Sequence, residues 1–119
     1  MDEAGSAAEQ NPTDPAESFK ALLEQLRQSE GWERLPFSRR LRKIRKARDW
    51  SHQQLARRMV LAGKNRKGRT AKAASLVRMQ SSWENGGQVA DERNRHLLAD
   101  ALEVTISDLA LSEDPDFIW

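Results

Sequence analysis

The stretch that decides the fold is Leu41-Arg42-Lys43-Ile44-Arg45-Lys46-Ala47-Arg48-Asp49-Trp50-Ser51-His52-Gln53-Gln54-Leu55-Ala56. Its first half sets Leu41 and Ile44 among bases at helical spacing, which gives one buried stripe under a charged outer face. Ser38 is the expected N-cap, and a helix is predicted over 38–48. Asp49-Trp50 interrupts it. Ser51, with Gln54 three residues on, has the form of a capping box that opens a second helix. That helix carries Leu55, Met59 and Val60 inward and is predicted to end at Gly63.

Toward the N-terminus, residues 1–18 contain no Leu, Ile, Val or Phe and no base, but five acids together with Pro12 and Pro15. Such a segment buries too little apolar surface to offset its ordering entropy, so 1–18 is expected to be a disordered acidic tail. Phe19, Leu22, Leu23 and Leu26 then recur at helical spacing to about Gln28, and 19–37 is predicted as a short amphipathic helix and linker broken by Gly31 and Pro36. Toward the C-terminus, 63–72 is polar and basic and is predicted to be a loop. Leu76, Met79 and Trp83 mark a third helix of the domain that stops at Asn85-Gly86-Gly87. Asp91 can cap a fourth, with Leu97, Leu98, Ala101 and Leu102 inward, and Thr105 with Asp108 can cap a fifth holding Ile106 and Leu109. Residues 113–119 form a tail. Nothing alternates like a strand and nothing repeats, so the predicted class is all-α: a five-helix domain over 38–112, preceded by an extra helix.

A length of 119 residues suits one domain with tails. The absence of cysteine excludes a disulfide framework and a cysteine-ligated zinc site. The longest apolar run, Met59–Ala62, is far too short to span a membrane. The acidic first twenty residues lack the basic-then-apolar order of a signal peptide, so a cytoplasmic location is expected. The net charge of +2 hides a segregation. Residues 1–30 hold seven acids and two bases, a net −5. Residues 31–83 hold sixteen bases against Glu33 and Asp49, a net +14, and 84–119 hold nine acids and two bases, a net −7. A cationic middle of this size points to a polyanionic partner, for whose place on the basic face the acidic tail can compete.

The opening stretch, with Trp83-Glu84-Asn85-Gly86, Leu97-Leu98-Ala99-Asp100-Ala101-Leu102-Glu103-Val104 and Ser107-Asp108-Leu109, resembles the phage-repressor (Xre/Cro) helix-turn-helix family over about residues 38–110. The resemblance implies a five-helix domain that binds duplex DNA, usually as a homodimer, with its third helix in the major groove. It implies a transcriptional regulator, a repressor acting on a two-fold operator. By the same resemblance, Arg45 and Glu84 match a buried structural ion pair and Trp83 matches the core residue that seats the third helix. His52 and Gln53 stand in the first turn of the second helix, where a side chain meets a DNA phosphate. Asn85 matches a backbone contact and also suits a left-handed helix end. Base reading falls to the third helix: Arg78 toward guanine, Val77 toward a thymine methyl, and Ser81 and Ser82 at other groove-facing positions.

This sequence departs from the family between the second and third helices. Leu55 and Trp83 lie 28 positions apart, roughly fourteen more than a turn of about four residues allows. The added loop carries Lys64, Arg66, Lys67, Arg69 and Lys72, which either reach phosphates and the adjacent minor groove or remain solvated. Gln80 stands where the family has an apolar residue, so Met79 is the alternative inward side chain. Asp49 takes the place of a glycine that ends the first helix, and Ala90 stands near that of a proline.

Other chemistries fit poorly. Gly63-x-x-x-x-Gly68-Arg69-Thr70 nearly matches a phosphate-binding loop, but its lysine is an arginine and no strand precedes it. His52 and His96 lie in different predicted helices without acids at ligand spacing, so neither metal nor cofactor is expected. No catalytic cluster is visible, and no aromatic platform suggests single-stranded RNA. The competing reading is an antitoxin or protein-interaction adaptor. In it, the Phe19–Leu26 helix or the Phe117–Trp119 tail either meets a partner or packs on its own domain.

Overall fold

The computed structural model describes residues 15–119, and no strand occurs among them. Five α-helices follow one another: α1 (Pro15–Gln28), α2 (Phe37–Ala47), α3 (His52–Asn65), α4 (Ala73–Glu84) and α5 (Glu92–Leu102). Single 3-10 turns stand at Trp32–Arg34 and Ser107–Leu109. α3 packs against both α4 and α5, and α2 crosses α4. Leu41, Ile44, Leu55, Met59, Leu76, Leu97, Leu98, Leu102 and Leu109 are fully buried where these faces meet. Each such side chain contributes roughly 1.5–3 kcal/mol through the apolar surface it removes from water. Among the described residues, no helix is long and apolar enough to cross a membrane.

α1 belongs to the same body. Its Phe19 and Leu23 are buried, and the Arg48 guanidinium lies 3.6 Å from the Phe19 ring centroid. Arg27 forks onto Asp108, with Nε donating to Oδ1 at 2.9 Å and Nη2 to Oδ2 at 2.7 Å. The chain is already helical at Pro15, the first described residue and ahead of the expected start, and Phe19 anchors this turn to the core. Residues 15–18 therefore leave the expected disordered tail. The rest of that expectation, 1–14, lies outside the described residues.

Local capping rules account for three boundaries. Ser51 Oγ accepts from Gln54 N at 3.1 Å while Gln54 Oε1 accepts from Ser51 N at 2.8 Å, closing the capping box of α3. Asp91 Oδ1 accepts from Asn94 N at 3.0 Å and starts α5. Asp49 ends α2 in the left-handed region, at φ 60°, a conformation aspartate adopts more readily than most residues.

Three further boundaries differ from expectation, each for a physical reason. α2 starts at Phe37 behind Pro36, with no cap from Ser38, because Phe37 is buried against Trp83 with ring centroids 6.3 Å apart. α3 runs past Gly63 to Asn65. A Cβ on Gly63 would collide with Thr70 Cγ2, so this glycine admits a close crossing and is not a helix stop. α4 stops where expected, before Asn85-Gly86-Gly87, but Asn85 stays right-handed at φ −90° and Gly86, not Asn85, makes the left-handed turn at φ 79°. The fifth helix of the expected domain is a single 3-10 turn. Thr105 and Asp108 exchange two 3.0 Å hydrogen bonds, but Ala110 at φ 62° closes the segment at once.

Candidate nucleic-acid interface

The junction of α2, α3 and α4 is organised by one carboxylate. Arg45 Nε donates to Glu84 Oε2 at 2.7 Å and Arg45 Nη2 to Oε1 at 2.9 Å, a bidentate pair with both partners buried. The remaining terminal nitrogen of Arg45 donates to the Trp50 carbonyl at 2.8 Å, tying in the α2–α3 turn. Arg42 Nε lies 3.5 Å and His52 Nε2 3.2 Å from Glu84 Oε1. Burial alone would raise the Glu84 pKa, but the hydrogen bonds and charge of Arg45 and His52 outweigh it and hold the carboxyl below its ordinary 4.5. A depressed acid contributes stability that is present above its unfolded pKa and lost as pH falls through the folded one. Asp108 is also held below its ordinary value. Burial again opposes the shift, while Arg27 and Thr105 carry it. Thermal melts should therefore show stability falling steeply below about pH 4.5, with a shallower fall in Glu84→Gln. Identical pH profiles for the two proteins would show that Glu84 does not carry this dependence.

A second tie sets the rotation of α4. Gln80 is fully buried, and its Nε2 donates to the His52 carbonyl at 2.9 Å. Leu76, Gln80 and Trp83 thus form the inward stripe, and Met79, the alternative inward residue, is only half-buried at its edge. With that rotation fixed, Ala74, Arg78, Ser81, Ser82 and Asn85 fall on the opposite side, at the spacing of one helical face. Arg78 and Asn85 are exposed, and Ser81 and Ser82 are half-buried. Arg78 extends beside Ser75, with Nη2 3.2 Å from its Oγ. α4 contains a single acid, Glu84, and that acid is withdrawn into the ion pair. Its outer face is therefore free of negative charge over 12 residues, about 18 Å of helix.

Not every expected contact residue faces outward. His52 turns inward to Glu84 and keeps about a third of its side chain exposed (32%). Gln53 beside it is exposed. Val77, expected against a thymine methyl, instead packs against the core. Arg66 is engaged within the molecule: its Nη2 lies 3.2 Å from Asp100 Oδ1, its Nε bonds Oδ2, and its guanidinium stacks on Trp119. Lys64, Lys67, Arg69 and Lys72 remain exposed around the α3–α4 connection, which is shortened to 66–72 by the longer α3. Exposed Arg39, Arg42, Lys43, Lys46, Arg57 and Arg58 extend the cationic surface over α2 and α3. Arg40, Arg45 and Arg48 do not join it. Arg40 lies over Trp32 and donates to the Ser107 carbonyl, and Arg48 donates to the Leu102 carbonyl. The apolar residues outside the expected core pack mostly at home: Phe19 and Leu23 on the domain, Phe117 and Trp119 on α5 and the loop, leaving Leu22 and Ile118 outward.

Comparison with protein-family models, with curated proteins and with solved structures finds no match to this chain. Three contributors are not foreseen from the sequence. Arg42 joins the Glu84 cluster, Arg93 Nη1 donates to the Arg69 carbonyl at 3.0 Å, and Thr70 fills the gap above Gly63. Only the Arg42 contribution has a local signal, since Arg42 and Arg45 lie three apart on one helix.

Proposed function

We propose that the chain is a sequence-specific, double-stranded-DNA-binding transcriptional regulator of the phage-repressor (Xre/Cro) helix-turn-helix type. In this reading α3 and α4 are the paired helices. α4 enters the major groove, about 12 Å wide, with Arg78, Ser81 and Ser82 toward the base edges. Gln53 at the start of α3 meets a phosphate, as does Asn85 at the end of α4. The exposed bases of the connection and of α2 and α3 meet the backbone on either side. The protein acts as a homodimer on a two-fold site and represses by covering promoter sequence. The observation that carries this reading is the α4 surface: an exposed arginine on a helical face whose one acid is locked away, set in a cationic surround.

Arg78 gives the direct test. Arginine recognises guanine O6 and N7 with two parallel hydrogen bonds. Arg78→Ala is expected to weaken binding to the preferred duplex by about 1–3 kcal/mol and to relax preference at one base pair. Titrations against matched and singly substituted duplexes read both effects. An equal loss on every sequence would make Arg78 a phosphate contact.

A further inference from the structure

The connection between α3 and α4 contributes no fully buried apolar side chain, yet its backbone is fastened along its length. Gly68 N donates to the Gly63 carbonyl and Lys67 N to the Lys64 carbonyl, both at 2.9 Å, and Lys67 is held left-handed at φ 57°. Farther along, the Arg69 carbonyl accepts from Arg93, and Thr70 seats on Gly63. The remaining fastening comes from far along the chain. Trp119 carries the Arg66 guanidinium 4.9 Å and the Arg93 guanidinium 4.7 Å from its ring centroid. It also lies against the loop backbone itself, so closely that a Cβ on Gly68 would collide with its Nε1. The indole is held in turn by the edges of Phe117 and His96, at 6.1 and 6.3 Å between centroids, and these two rings stack on each other at 5.4 Å.

We propose that Trp119 is a clip that fixes the basic connection, so that Lys64, Lys67, Arg69 and Lys72 meet DNA phosphates from an already ordered backbone. The inference rests on the DNA-binding reading and adds a positioning residue to it. Guanidinium groups stack well on an indole, and two of them here couple the ring to the loop and to α5. A loop that must be ordered at the moment of binding loses affinity to that ordering, whereas a clipped loop does not.

Two measurements on the full chain test the clip in Trp119→Ala and in Trp119→Phe, which keeps a ring for the guanidiniums. The first follows trypsin cleavage after Lys67 and Arg69 in the free protein. Cleavage should be much faster in Trp119→Ala and close to the parent rate in Trp119→Phe. Unchanged cleavage in Trp119→Ala would overturn the clip whatever the protein binds. The second is affinity for a random-sequence duplex, expected to fall about three- to tenfold in Trp119→Ala and to be largely restored in Trp119→Phe. Faster cleavage with unchanged affinity would overturn the positioning role while leaving DNA binding intact. Absence of duplex binding by the parent protein would overturn both the positioning role and the reading it rests on.

Discussion

Glu84→Ala is expected to destabilise the fold by about 3–5 kcal/mol, a large part of the stability a domain of this size normally has. The cost arises from what the substitution leaves behind. Arg45 is buried, and it would keep one hydrogen bond, to the Trp50 carbonyl, and lose both bonds to the carboxylate. His52 and Arg42 would lose the same partner. Arg45→Ala leaves the carboxylate buried in turn and should cost a similar amount. Removing both charges is different. Arg45→Met with Glu84→Leu fills the same space without an orphaned ion and should recover most of the loss. Equilibrium unfolding in urea of the two singles and the double measures this. A double variant as unstable as the sum of the singles would show that the pair is not coupled.

A second large effect is expected on binding. Replacing Lys64, Lys67, Arg69 and Lys72 together with glutamine should weaken association with all duplexes, preferred and random alike, on the order of a hundredfold at moderate salt. The logarithmic salt slope should flatten by about 3–4, close to one for each phosphate no longer neutralised. These side chains are exposed, so unfolding free energy should stay within about 0.5 kcal/mol of the parent. Arg66 is left out of this set because its partners are Asp100 and Trp119, and its loss would disturb the fold as well. Anisotropy titrations across a salt series provide the check. An unchanged slope would mean that the connection contributes only general field.

How far the sequence discloses the structure depends on the range of the interaction. Ser51 with Gln54, Asp91 with Asn94 and Thr105 with Asp108 act within four residues, so their caps are readable from spacing alone. The apolar stripes of α2, α3 and α5 are readable for the same reason, since period and burial coincide. Gln80 is not. A buried amide in an apolar stripe is settled by its partner, and that partner is a backbone carbonyl on another helix. Gly63 reads locally as a helix terminus, yet its role depends on Thr70 folding back over it. Arg66 reads as one more base in a cationic run, until the fold brings Asp100 and Trp119 to it from distant parts of the chain. The pairing of Arg45 with Glu84 spans 39 positions, so no local rule discloses it, and it is expected only through the resemblance.

Whether the outer face of α4 reads duplex sequence is decided by selecting bound duplexes from a random pool, with the parent protein and with Arg78→Ala in parallel. The parent should enrich a pair of half-sites related by two-fold symmetry and spaced by about one helical turn of DNA. Each half-site should contain a guanine whose enrichment disappears in Arg78→Ala. A pool that enriches nothing, or a motif unchanged by Arg78→Ala, would contradict sequence reading by this face.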